Sequence, residues 1–238
     1  MPVDLLAVMA HPDDAELLCG GTLARAADQG HRTGIVDLTR GELGSRGTAE
    51  LRAKEAVAAA KVLGVAERVN AGLPDGHLAN TDAARRIVVE HIRRLRPGVV
   101  LLQYITSRHP DHRVASELVR DACFLSGLKN YPADGQPFRP AKLCHALSFR
   151  EDAVKPSFVV DISAQFDRKL AAIACFASQF DGVTQAGEMY PTGEPLDDLI
   201  ATQNGHYGSL IRARFGEPFW TAETMAVADI TALGVHSL

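Results

Sequence analysis

Two short stretches of this chain set imidazole, proline and carboxylate side by side: His11-Pro12-Asp13-Asp14 near the start and His109-Pro110-Asp111-His112 near the middle. Each shortly follows an apolar run, Leu5–Ala10 in one case and Val99–Gln103 in the other, and each ends on a further potential ligand. Two imidazoles and a carboxylate suit a borderline-soft divalent metal. Zinc accepts such a set at about 2.0–2.1 Å and, in catalytic sites, leaves a fourth position for water. His11, Asp14 and His112 make up that set, one ion per chain. A single His-Pro-Asp would read as a turn or a helix cap; the same tripeptide after two strands argues for ligation. The proline fixes its own φ and biases the preceding histidine toward extended backbone, which restricts where the imidazole can point.

Such groups need elements to hold them. Leu5–Met9, Thr33–Leu38 and Val99–Gln103 are short apolar runs of the kind that form parallel strands buried on both faces. A further strand is expected near Arg68–Ala71. Between them Ala56, Ala59, Ala60 and Leu63, and again Val88, His91, Ile92 and Leu95, repeat at helical spacing. The alternation predicts an α/β fold, a Rossmann-like, doubly wound, mainly parallel sheet, followed by an irregular C-terminal extension. Residues 1–238 are expected to form a single domain. Further on, strands are predicted at Leu143–Phe149 and Phe158–Ile162, then a helix capped by Asp161 or Ser163 with Phe166, Leu170, Ile173 and Ala177 inward. The Gly, Thr, Pro and Glu content of residues 181–195 predicts a long mobile loop.

In an open parallel sheet, ligands bind beyond the carboxyl ends of the strands. That rule gathers four polar loops: the two His-Pro-Asp loops, Thr39-Arg40-Gly41-Glu42, and Leu73-Pro74-Asp75. The first turn lacks G-x-G-x-x-G, so nicotinamide chemistry fits poorly. Lys and Arg number 25 against 29 acids, a net charge of −4 with no basic tail, which argues against a nucleic-acid partner. The apolar run near the N-terminus is too short for a signal or a membrane span, and Cys19, Cys123, Cys144 and Cys175 form no CxxC pair. A cytoplasmic protein with buried thiols is expected. Arg85-Arg86 and Arg93-Arg94 read as the wet face of a helix, His91 as a core histidine and His31 as solvated. His77 is left open for substrate contact.

The segments Ala10–Glu16 with Gly20-Gly21-Thr22, and Arg108–His112, resemble the LmbE-like or PIG-L family of zinc-dependent N-acetylglucosaminyl deacetylases. Leu38–Leu43, Gly47-Thr48, Leu51-Arg52, Leu73–Gly76 and Gly216–Phe219 are most similar to its bacillithiol-biosynthesis branch, whose members deacetylate N-acetylglucosaminyl malate. The resemblance implies that His11, Asp14 and His112 bind zinc, that Asp13 is the general base, and that a protonated His109, oriented by Asp111, stabilises the oxyanion or protonates the leaving amine. It implies substrate contacts from Arg52 and Arg108; Glu42 and Asp75 in the converging loops are expected to join them. It also implies a tyrosine from the C-terminal part, for which Tyr190 is the candidate while Tyr207 fits a structural position. A small sugar conjugate as substrate, no membrane partner and a trimer or hexamer are further expectations.

Three other readings stand beside this one: deacetylation of a different conjugate, such as a mycothiol precursor or a chito-oligosaccharide; a metal-dependent phosphoesterase; and a non-catalytic sugar-binding module.

Overall fold

The computed structural model describes residues 1–147, 149, 151, 154–180 and 196–235. Its elements run β1 (Leu5–Met9), α1 (Asp14–Asp28), β2 (Thr33–Thr39), α2 (Ala49–Leu63), β3 (Glu67–Leu73), α3 (Asp82–Leu95), β4 (Val99–Gln103), α4 (Pro110–Leu125) and β5 (Lys142–Ala146). They continue with β6 (Phe158–Asp161), α5 (Phe166–Ala174), α6 (Ala177–Phe180), α7 (Leu196–Ser209) and β7 (Gly216–Trp220). One sheet has the order β3-β2-β1-β4-β5-β7-β6. The first five strands are mutually parallel, and β7 runs antiparallel to both β5 and β6. The expected doubly wound, mainly parallel sheet is therefore present.

Helices cover both faces. The apolar residues of α3 and α4 pack with Leu6, Val8, Val36 and Leu102 on one face, while α1, α2 and α5 enclose Ala7, Met9, Ile35 and Phe176 on the other. Local chemistry sets the helix ends. Thr48 Oγ1 accepts from Leu51 N and Thr81 Oγ1 from Ala84 N, each at 3.2 Å. Gly64 closes α2 at φ 76°, a left-handed position that glycine takes without a Cβ penalty.

Strand order reverses between β1 and β4, which carry the chain in opposite lateral directions. The crevice of an open α/β sheet lies at such a switch point, and both His-Pro-Asp loops emerge there.

Several expectations change. Neither Asp161 nor Ser163 caps α5, which begins after Gln165 with no side-chain cap. Asp161 Oδ1 instead accepts from Ser163 N, and Ser163 Oγ accepts from Arg214 N and Phe215 N, each at 3.1 Å. The strand expected to reach Phe149 stops at Ala146, and β7, unannounced by any periodicity, inserts beside it. Arg93 is not on a wet face. It is 4% exposed, and its guanidinium donates to the carbonyls of Ser126, Leu128, Ala133 and Gly135, binding the excursion before β5 to α3. Residues 181–195, with Tyr190 among them, lie outside the described residues.

Candidate active site

The turn from β1 into α1 is strained. Asp13 sits at φ 112°, a conformation that costs a non-glycine residue about 1–3 kcal/mol and is characteristic of functional sites. Arg52, buried on α2, holds it there: Nη2 donates to Asp13 Oδ2 at 2.7 Å and to Pro12 O at 2.5 Å, and Nη1 to Gly41 O at 3.3 Å. Gly41, at φ 66°, has no room for a Cβ, because the Arg52 guanidinium occupies that space.

Three donor groups meet beyond this turn. His11 Nδ1 lies 3.3 Å from Asp14 Oδ2, His112 Nε2 lies 3.3 Å from Asp14 Oδ1, and the two imidazole nitrogens are 3.3 Å apart. Ligands held tetrahedrally at 2.0–2.1 Å from one ion stand about 3.3 Å from each other; the two imidazoles meet that spacing, each on a different oxygen of Asp14, so the three groups could hold a divalent cation. Gln103, the last residue of β4, fixes Asp14 from behind: Nε2 donates to Asp14 Oδ2 at 2.9 Å while Oε1 accepts from Ala10 N at 3.1 Å. His109 joins His11 and His112 in a wider cluster, and Asp75 and Asp111 form another around His11. That second cluster lies on the far ring nitrogen: His11 Nε2 is 3.1 Å from Asp75 Oδ1 and 3.2 Å from Asp111 Oδ2. A carboxylate behind a histidine fixes its tautomer and frees the opposite nitrogen, here Nδ1.

The electrostatics favour a positive centre. Burial alone would lower the His11 pKa, but hydrogen bonds to Asp14 and Asp75 and the charges of Asp14 and Asp13 overcome it and push it up to about 11. Asp14 is held well below the usual carboxylate range despite its burial, by His112 and His11. The His11 hydrogen bond takes Asp75 down to about 2. Asp13 moves the other way: burial raises it, Arg52 opposes, and the neighbouring Asp14 charge raises it further. His109 is lowered by burial and then by the charges of His112 and His11.

The residues singled out from the sequence do not all hold their expected places. His11, Asp13, Asp14, Arg52, Asp75, Arg108, His109 and His112 line one cavity of about 370 Å³, within the roughly 300–1,000 Å³ of small-molecule sites. The Asp111 carboxylate does not reach His109. It meets His11 Nε2 and accepts from Gly76 N at 2.7 Å, and only the Asp111 backbone N–H reaches His109 Nδ1, at 3.2 Å. Glu42 does not face the cavity, because its carboxylate is taken by Asp75 N and Arg40 N, 3.0 and 3.2 Å away. Arg52 spends Nη1 and Nη2 on the protein, whereas exposed Arg108 lines the cavity. His77 is exposed and outside that lining. Tyr207 is buried on α7 and outside that lining.

Sequence reasoning missed Gln103, the Ser107 and Glu151 contacts behind His112, and the cavity walls given by Leu43, Phe149, Gln179 and Phe180. A polar residue ending the otherwise apolar β4 was the available signal for Gln103. A larger cavity, about 690 Å³ between α4, β5 and residues 221–226, contains none of the site residues. No helix is long and apolar enough to cross a membrane among the described residues.

A family model described as PIG-L: GlcNAc-PI de-N-acetylase matches residues 6–123. The chain is 30% identical to the diacetylchitobiose deacetylase of Thermococcus kodakarensis, over 90% of this chain and 80% of that protein. It is 27% identical to the 1D-myo-inositol 2-acetamido-2-deoxy-alpha-D-glucopyranoside deacetylase of Rhodococcus jostii, over 90% of this chain and 93% of that one. Among solved structures, a conserved protein of Thermus thermophilus matches with a TM-score of 0.85 and 41% identity, covering 95% of this chain and 98% of its own.

Proposed function

We propose, since the chain belongs to the PIG-L family of de-N-acetylases, that it hydrolyses the acetamide of an N-acetylglucosamine conjugate to acetate and a free amine. The observation that carries this reading is the convergence of His11 Nδ1, His112 Nε2 and Asp14 at 3.3 Å, with Asp13 beside them in the same cavity. His11, Asp14 and His112 would hold a divalent metal, zinc by the choice of donors. Such an ion supplies Lewis acidity toward the acetyl carbonyl and makes water a competent nucleophile near neutral pH.

The chain's own groups do the rest. Asp13, held by Arg52 and raised by burial, accepts a proton from the attacking water and returns it to the departing amine. His109 acts as a neutral donor. Its Nδ1 accepts from Asp111 N, so its proton is assigned to Nε2, and burial lowers its pKa in the direction of the neutral ring. An N–H aimed at the developing oxyanion is a contribution whose removal typically costs about 3–4 kcal/mol.

Within that substrate class we propose malate as the aglycone, as in bacillithiol biosynthesis, in a cytoplasmic homo-oligomer. The support is the similarity of Leu38–Leu43, Leu73–Gly76 and Gly216–Phe219 to that branch, with Arg108 exposed at the cavity for a carboxylate. Arg52 lends no support, being spent on Asp13. Relatives named for diacetylchitobiose and for an inositol glycoside favour a second reading, in which the aglycone is a neutral sugar or inositol. Incubating the metal-loaded protein with N-acetylglucosaminyl malate, the inositol glycoside and diacetylchitobiose, and weighing the products by mass spectrometry, decides between them. Release of acetate from none of the three would overturn the deacetylase reading.

A further inference from the structure

His112 is one of the proposed metal ligands, and what lies behind it differs from what lies behind His11. His11 rests directly on the carboxylates of Asp75 and Asp111. His112 Nδ1 faces a hydroxyl, Ser107 Oγ at 3.4 Å, and that hydroxyl stands 2.8 Å from Glu151 Oε1. The proton inventory leaves one arrangement. An ionised carboxylate only accepts, so the single Ser107 proton goes to Glu151. The oxygen of Ser107 then accepts from His109 N at 3.3 Å and from His112, which must carry its proton on Nδ1. The lone pair of His112 is thereby placed on Nε2, the nitrogen 3.3 Å from both His11 Nδ1 and Asp14 Oδ1. The second oxygen of Glu151 accepts from Arg108 N at 3.1 Å, so one carboxylate clamps the loop at two points. Ser107 is buried, and Arg113 Nη1 donates to its carbonyl at 2.6 Å, which keeps the hydroxyl in register with the ring.

We propose that Ser107 and Glu151 are positioning residues for the metal site, a carboxylate-hydroxyl relay in which Glu151, between β5 and β6, acts through Ser107, between β4 and α4, to fix the tautomer and orientation of His112. The inference rests on the reading of His112 as a ligand and deepens it. Glu151 also lines the substrate cavity together with Phe149 of the same loop. The segment that walls the substrate is thus the segment that steadies the ligand.

Supporting groups behind a ligating histidine typically contribute 10–100-fold in metal affinity. The test uses full-length protein stripped with a chelator and titrated with Zn2+ against a chromophoric competitor, and with Co2+ followed by its visible absorption. Ser107→Ala, which removes one oxygen, is expected to weaken Zn2+ binding by about 10–100-fold and to alter the Co2+ spectrum. Glu151→Gln is expected to shift both readouts in the same direction by less, and Ser107→Thr, which keeps the hydroxyl, to restore them. Thermal unfolding of the metal-free variants provides the structural control. Unchanged Zn2+ affinity in Ser107→Ala and Glu151→Gln overturns the relay. A loss of affinity matched by an equal loss of metal-free stability also overturns it, since the pair would then only hold the loop. Wild-type protein that takes up no Zn2+ overturns the metal centre itself, an outcome distinct from failure of the relay alone.

Discussion

The crevice above β1 and β4 and the brace beneath β7 both bury charge, and they treat it in opposite ways. At the brace, Lys169 and Glu217 are each fully buried and mutually satisfied: Nζ lies 2.7 Å from Glu217 Oε1 and donates to Leu17 O at 2.8 Å. Glu217 in turn accepts from Gly21 N at 2.9 Å and Thr22 N at 2.7 Å, filling the break in α1 where Cys19 departs from helical geometry. In the crevice, Asp13, Asp14, Asp75 and Asp111 converge while Arg52 forms its ion pair with Asp13. A buried pair with every partner in place is a structural brace. The crevice instead gathers buried carboxylates around paired imidazoles, a set that could hold a cation, and the strain at Asp13 belongs to that region too.

This contrast can be broken in four ways. The largest effect is expected from His112→Ala or Asp14→Ala: metal analysis of the purified variants should find no stoichiometric ion, and deacetylation should fall to background. Either variant keeping both its metal and full turnover would remove it from the ligand set. Next comes Asp13→Asn, which retains the shape but not the basic carboxylate. Its kcat should drop by about 10²–10⁴ with metal content unchanged, and near-normal turnover would end the general-base role.

The brace should answer through stability instead. Lys169→Met strands the Glu217 carboxylate and is expected to cost about 3–5 kcal/mol in denaturant unfolding, whereas Lys169→Met with Glu217→Leu should recover much of it. Equal losses in the single and double variants would contradict the description of a satisfied pair. The smallest effect separates two arginines of one cavity. Arg108→Ala should weaken kcat/KM for an anionic conjugate by about 1.5–3 kcal/mol and leave free N-acetylglucosamine nearly untouched. Arg52→Ala should harm both substrates alike, because its partner is Asp13. A matched response of the two variants would erase the distinction.

The crevice was legible in the sequence for a physical reason. Its imidazole and carboxylate groups come in adjacent residues after apolar runs, and the parallel sheet places those strand ends together whatever the rest of the chain does. The brace was not legible. Lys169 and Glu217 meet across 48 residues, and neither neighbourhood marks the other. β7 carries Pro218 in a strand flanked on both sides, where a missing N–H normally argues against strand. Its carbonyl still serves Leu147 N at 3.2 Å. The same limit hid Glu151, 44 residues from Ser107, and the inward turn of Arg93, whose carbonyl partners lie in a loop with no periodicity to read. Arg52 lines the cavity and bonds Asp13 there, a pairing the sequence could not show, because spacing carries no information about which carboxylate an arginine will reach.

The tie between Gly21 and Glu217 spans 196 residues, nearly the length of the chain, and so has a bearing on the order of assembly. The turn that carries His11, Asp13 and Asp14 leads into a helix whose break is filled only by Glu217 of the distant strand β7. Closing so long a loop is entropically slow compared with forming the local βα units. On refolding, helical signal should return first and tight metal uptake last, with Glu217→Leu removing the late step; simultaneous recovery of both signals would show that the N-terminal turn matures without its distant partner. A turn written in adjacent residues thus waits for a partner most of the chain away before it becomes competent.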